Sequence, residues 1–195
     1  FSGALDMGDF FLVQNDDGVG SKMMVAEALG RFETVGYDLL AMVADDAICV
    51  GAEVITISNT VDIEKVDAQV IGPMMEGLKK ACLEQNVVIP GGEIAELPGQ
   101  VRGVIWNATS VGIVEKDKFI DGSKVVAGDK VIGIRSAGFR SNGFSLVRHV
   151  LKNHFGEDWA HADYGDGRTW GEVVLTPSII YHAQMLKLLG RYGQA

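Results

Sequence analysis

Disulfide staples, membrane spans and an excess of positive charge are all missing from this chain. Its two cysteines, Cys49 and Cys82, cannot supply a disulfide framework in 195 residues. Both lie in apolar helical patterns, which predicts buried thiols in a reducing cytoplasm. No apolar run approaches the ~20 residues of a membrane-spanning helix. Lysine and arginine number 17 against 26 aspartates and glutamates, a net charge of −9, so the chain lacks the basic footprint that nucleic acid requires. A small anionic substrate stays open, because a few local donors or a bridging metal can hold phosphate in an acidic protein. The four histidines, at 149, 154, 161 and 182, have no zinc-like spacing with the cysteines. No internal repeat, heptad or low-complexity tract occurs. The chain starts at Phe1 with no basic segment and reads as the middle of a longer one.

What is present is an α/β pattern. Phe10–Gln14 is a short apolar run leading into the glycine- and aspartate-rich Asn15–Gly20, with helix predicted over about Ser21–Leu29. Tyr37–Val50 has helical apolar spacing and is closed by Gly51. Val54–Val61 reads as a strand and Asp67–Gln85 as the clearest helix, with an apolar stripe from Val70 to Cys82. Val87–Ile89 reads as a strand ending in Pro90-Gly91-Gly92, and Val104–Val114 as another. The polar stretch from Glu115 to Gly128 predicts a boundary between a domain of residues 1–122 and the start of a second over 123–195. There the pattern predicts a strand over Lys130–Ile134, a loop over Ala137–Gly143 and a helix over Phe144–Phe155. A long surface loop over His154–Gly171 and a last helix from Thr176-Pro177 to Leu189 complete it.

Four segments carry chemistry. In Asn15-Asp16-Asp17-Gly18-Val19-Gly20-Ser21-Lys22, glycines allow close backbone approach to a phosphate and a helix start favours anions. Lys22 adds a charge, and the aspartates suit Mg²⁺. The order Ser21-Lys22 is not that of a P-loop, and a tight Asp-Gly turn with a solvated lysine suits the same residues. On the Tyr37–Val50 helix, Asp38 and Asp45 stand about 10.5 Å apart on one face. Asp45-Asp46 interrupts an apolar helix, where a carboxylate is costly unless paired or metal-bound; a solvent-facing edge suits one of the two. Gly91-Gly92-Glu93 delivers a carboxylate beside a flexible backbone, as metal or ribose contacts need and as a solvated turn also does. In Ser136–Gly143, Arg140 with Ser141 and Asn142 suits a phosphate or amide grip, while Ser141 or Asn142 equally suits an N-cap.

Together and in order, these segments resemble the aminoimidazole ribonucleotide (AIR) synthetase family. Asp17-Gly18-Val19-Gly20-Ser21-Lys22 is similar to its Asp-Gly-Val-Gly-Thr-Lys, and Asp46 with Gly51-Ala52-Glu53 to its Asn-Asp…Gly-Ala-Glu. Gly91–Gly99 is similar to Gly-Gly-Glu-Thr-Ala-Glu-Met-Pro-Gly, and Ser141–Arg148 to Ser-Asn-Gly-Tyr-Ser-Leu-Val-Arg. Pro177–Tyr181 is similar to Pro-Thr-Arg-Ile-Tyr. The resemblance implies a mixed sheet with flanking helices that pairs into a dimeric barrel. It also implies ATP-driven closure of formylglycinamidine ribonucleotide to AIR, through phosphoryl activation of an amide oxygen. It assigns Asp17, Gly18, Gly20, Ser21, Lys22 and Gly92 to the nucleotide, Asp46 and Glu93 to Mg²⁺, and Asn142 with Arg140 to the reacting end. The partners implied are a ribonucleotide and a second copy of the chain.

The chain departs from that pattern at four places. Asp45 stands where the motif has Asn, and Asn59-Thr60 where the family often has Asp-Tyr. Ile94 replaces a Thr, and Arg140 takes the place of a His in a Pro-His-Ser-Asn loop. An arginine there stays protonated and can bind or stabilise charge but cannot shuttle protons. Relatives that use ATP on other amide or phosphate substrates, and a non-catalytic nucleotide-binding dimerisation module, are the alternatives.

Overall fold

Alternation of inward apolar and outward polar side chains builds the sheet. In the computed structural model, which describes residues 2–193, β1 (Gly3–Asp6) and β2 (Phe10–Gly18) precede two helices, α1 (Met23–Leu29) and α2 (Val35–Ile48). Then come β3 (Glu53–Ile63), α3 (Ala68–Gln85), β4 (Val88–Glu96) and β5 (Val104–Glu115). Three helices complete the order: α4 (Phe144–Phe155), α5 (Trp170–Val174) and α6 (His182–Tyr192). The sheet runs β1-β2-β5-β3-β4. Its pairings are antiparallel except β3 with β4, which lie parallel because α3 crosses between them. One face is buried under helices. The other leaves Ile55, Thr60, Ile105, Asn107 and Ile113 exposed.

Helix α2 is the centre of the molecule. Val35, Leu39, Leu40, Ala41, Val43, Ala44 and Ala47 are fully buried on it, so it is apolar nearly all round, as a helix enclosed on several sides must be. It approaches α3 where two glycines permit backbone contact. A methyl on Gly36 would stand 2.1 Å from the Leu78 nitrogen, and one on Gly77 would stand 2.3 Å from the Glu33 carbonyl oxygen. Polar side chains of the sheet fasten α2 below: Ser110 Oγ donates to the Val43 carbonyl at 3.0 Å, and Asn15 Nδ2 to that of Met42 at 3.4 Å. One apolar core runs from Val13 through these elements to Phe144, Leu151, Trp159, Val174 and Ile180.

Several sequence expectations are corrected. β2 does not stop at Gln14 but continues through Asn15, Asp16 and Asp17 to Gly18, each paired with β5. β4 likewise runs on through Pro90-Gly91-Gly92 to Glu96, since glycine weakens a strand without breaking it. Residues 130–134 form no strand: no neighbour pairs with them among the described residues, and Val131, Ile132 and Ile134 stand exposed. The stretch 154–171 is more than a surface loop, because it buries Trp159 and Ala160 and leads into α5 through a Thr169–Glu172 capping box. Cys49 is exposed; Cys82 is buried, and burial pushes its thiol up to about 12.

The last helix starts at His182, not at Pro177. His182 is 1% exposed, and its Nε2 accepts the Val54 N–H at 2.9 Å, beside the bulge where β3 shifts register between Val54 and Thr56. Burial lowers its pKa from 6.5 to about 4. Below pH 6.5 the unfolded chain takes a proton that the folded chain refuses, so this contribution is complete above pH 6.5 and is lost as pH falls towards 4. Over that window the unfolding free energy in urea should fall about 3 kcal/mol further for the parent than for His182→Gln. Parallel pH profiles would show that the ring is not held neutral.

Candidate active site

The far end of β2 opens into a cavity of about 450 Å³ lined by Asp16, Asp17, Gly18, Thr60, Asn107, Ala108 and Thr109. Register explains the lining. Gly18, Asn107, Thr60 and Glu93 form one row across four strands, and Asp16, Thr109, Ser58 and Gly91 the row two places along on the same open face. Between them, Asp17, Ala108, Asn59 and Gly92 point to the helix side. The Thr109 hydroxyl donates to Asp16, and Asp17 Oδ1 accepts the Gly18 N–H at 2.7 Å. Gly18 is required by contact, since a methyl there would meet Asn107 Oδ1 at 2.1 Å. Gly20, at φ +63, turns the chain from the strand into the 3-10 turn of Gly20–Lys22. Ser21 Oγ lies 3.4 Å from Ser145 Oγ on α4.

Asp46 sits half-buried at the end of α2. Its carboxyl is pushed up first by burial and then by the like charge of Asp17, with the Asn15 amide opposing. A carboxyl that feels the charge of a second carboxylate suits a hard divalent cation. Among the described residues no three His, Cys, Asp or Glu side chains gather as a metal cluster, so such an ion would take its other positions from ligand oxygens and water. Glu93 is not part of that pair. It lies three strand spacings from Gly18 along its row, roughly 14 Å, and its Oε1 accepts the Ile94 N–H at 2.9 Å. Gly92 is where the edge strand passes close to Asn59: a methyl there would stand 2.6 Å from the Asn59 carbonyl oxygen. Asn59 is itself buried and accepts the Trp106 Nε1–H at 2.9 Å.

Lys22 is placed differently from its sequence expectation. Its ammonium is fully buried and spends its donors on Asp38 Oδ1 at 2.8 Å, the Thr176 carbonyl at 2.7 Å and the Phe139 carbonyl at 3.3 Å. A nucleotide would have to displace these partners to reach it. Burial pushes Lys22 down and Asp38 up, each opposed by the other's charge. Asp38 Oδ1 also accepts the Ser178 hydroxyl at 2.6 Å and its N–H at 3.0 Å. Two turns along α2, Asp45 receives Arg140 Nη2 on Oδ2 at 2.7 Å, and the N–H groups of Tyr181 and His182 on Oδ1 at 2.9 and 3.1 Å. The Asp38–Asp45 face is therefore a clasp for the 136–143 loop and the 176–182 segment. Asn142 is exposed next to Arg140, with buried Ser141 between them.

Residues 2–114 match the family described as AIR synthase related protein, N-terminal domain. The chain belongs to that family. Among AIR synthase relatives, the phosphoribosylformylglycinamidine cyclo-ligase of Pyrococcus furiosus is 42% identical over 189 residues, which cover 97% of this chain and 55% of that protein. The one from Methanocaldococcus jannaschii is 40% identical over 193 residues, covering 97% and 54%. The chain thus spans about half the length of these relatives. Among solved structures, T. maritima PurL complexed with ATP gives a TM-score of 0.52 at 15% identity, over 62% of this chain and 19% of that one. That is a likeness of fold.

The structure sets Asp17 and Gly18 in the cavity lining, Asp46 at the end of α2, and Glu93 and Gly92 on the edge strand, and it ties Lys22 and Arg140 to α2 through Asp38 and Asp45. Sequence reasoning missed Asn107 and Thr109 in the cavity lining. Their signal was present: both are polar residues at alternate positions of a largely apolar strand. It missed Ser178 as well, which is marked only by its place beside a proline.

Proposed function

We propose that this chain forms the nucleotide-binding part of an ATP-dependent cyclo-ligase that closes formylglycinamidine ribonucleotide to 5-aminoimidazole ribonucleotide. Family membership and the names of its relatives support the reaction. The observation that carries the site is the acidic cavity at the end of β2, lined by Asp16, Asp17, Gly18, Asn107 and Thr109. In the reaction, the substrate's amide oxygen attacks the terminal phosphorus of ATP and ADP leaves. The substrate's amine nitrogen then attacks the activated carbon, and phosphate leaves as the imidazole closes.

Asp17, Gly18, Gly20 and Ser21 hold the nucleotide against backbone that carries no obstructing side chain, with Gly92 at the sheet edge. Asp46 with Asp17 would hold Mg²⁺, which would supply neutralisation of phosphate charge. Glu93 faces the open side of the sheet. Asn142, on the exposed turn before α4, meets the reacting end as a hydrogen-bond partner. Arg140 carries no transferable proton. Two free cysteines suit a cytoplasmic enzyme, and no helix among the described residues is long and apolar enough to cross a membrane. We read residues 123–195 as part of a second domain, because among the described residues the first sheet takes no strand after Glu115.

The gene product carrying this chain, given MgATP and formylglycinamidine ribonucleotide, should form AIR, followed as its coloured diazo derivative, only when ATP is present. ATP binding without colour would assign the scaffold to another amide or phosphate substrate. The open sheet face with Ile55, Ile105 and Ile113 suits a second copy of the chain, as a barrel between two sheets requires. The protein should sediment as a dimer at micromolar concentration, and a monomer would contradict that pairing.

A further inference from the structure

The two departures from the family pattern at Asp45 and Arg140 touch each other. Arg140 Nη2 donates to Asp45 Oδ2 at 2.7 Å and reaches the Ala41 carbonyl at 3.4 Å, while Nη1 donates to the Ile179 carbonyl at 3.0 Å. The guanidinium lies over the Tyr181 ring, 5.4 Å from its centre, and Tyr181 in turn donates its hydroxyl proton to the Arg135 carbonyl at 2.8 Å. One side chain of the 136–143 loop thus binds α2 and the 179–181 segment at once. Asp45 Oδ1, the oxygen that Arg140 leaves free, caps the first turn of α6 through the Tyr181 and His182 N–H groups. The Asp45 side chain is only 13% exposed and that of Arg140 30%, so each charge depends on its partner to stay where it is.

We propose that Asp45 and Arg140 are a mutually dependent pair of positioning residues that fixes the exposed Asn142 turn against α2. Asn142 follows Arg140 by two residues. On its other side Gly143, at φ +79, starts α4 and accepts the Leu146 and Val147 N–H groups at 3.0 and 3.1 Å. The turn is therefore held at both ends: by α4 after it, and before it by the fork of Arg140. A lysine would keep the charge but not the planar fork that bridges three acceptors. A neutral pair of hydrogen-bonding side chains can replace two opposed charges, whereas one of each cannot. The assignment to the reacting end rests on the cyclo-ligase reading; the dependence of the two residues on each other does not.

The test compares Asp45→Asn, Arg140→His, the double variant and Arg140→Lys, all in the gene product carrying this chain. Two readouts are taken: steady-state kcat and KM, and amide hydrogen exchange over residues 141–147. Each single variant should lower kcat about tenfold or more with KM for MgATP little changed. Exchange over the 141–147 amides should quicken, and the double variant should recover most of both losses. Arg140→Lys should lower kcat and speed exchange while its thermal midpoint stays near that of the parent, which separates positioning from loss of fold. Single variants with parental kcat and exchange would overturn the proposal, as would a double variant as impaired as the two singles combined. If the parent forms no AIR, the cyclo-ligase reading fails, and the exchange pattern alone then decides the pair.

Discussion

A lysine ammonium with no solvent contact, 2.8 Å from an aspartate that is equally buried, is the constraint on which the rest of this structure depends. Neither group can be left alone in such a place, because an uncompensated buried charge costs several kcal/mol. The arrangement survives because every hydrogen-bonding direction of Lys22 is used: by Asp38 and by two carbonyls that lie more than a hundred residues further on. Asp38 Oδ1 also takes both donors of Ser178. The pair therefore joins the start of α1, the first turns of α2, the Phe139 loop and the Thr176–Ser178 segment at one point.

From that point the helix α2 acts as a rail. Its apolar sides are enclosed by the sheet and by α3, which comes close enough only because Gly36 and Gly77 carry no side chain. Its polar edge bears Asp38, Asp45 and Asp46 in sequence, and each does something different. Asp38 neutralises Lys22, Asp45 receives Arg140 and caps α6, and Asp46 feels the charge of Asp17. Asp46 and the clasp for the later segments thus lie on one helix.

Much of this was legible in the sequence. The apolar stripe of α3 and the spans of β5 and α4 were read almost to the residue, because long regular segments leave little choice. The boundaries at Gly18 and Gly92 were misread for a physical reason. Glycine usually marks a turn, but here its missing side chain serves close contact inside a continuing strand. Gly18 makes room for Asn107, and Gly92 for Asn59. The start of α6 was misplaced because Thr176-Pro177 has the look of a cap, whereas the cap comes from Asp45, 136 residues away from Tyr181. Lys22 looked like a phosphate ligand on local spacing. Nothing local could show that Asp38 and the Thr176 carbonyl would enclose it, or that Asp45 and Arg140, two separate departures from the family pattern, would meet.

The central claim is that the buried Lys22–Asp38 pair holds the later segments to the first sheet. The direct measurement is urea unfolding of Lys22→Met, Asp38→Asn and the double variant Lys22→Met/Asp38→Leu. Each single variant should lose about 3–5 kcal/mol, and the double less than the two losses added. Single variants within about 1 kcal/mol of the parent would contradict the account, because exposed ion pairs are worth no more than that.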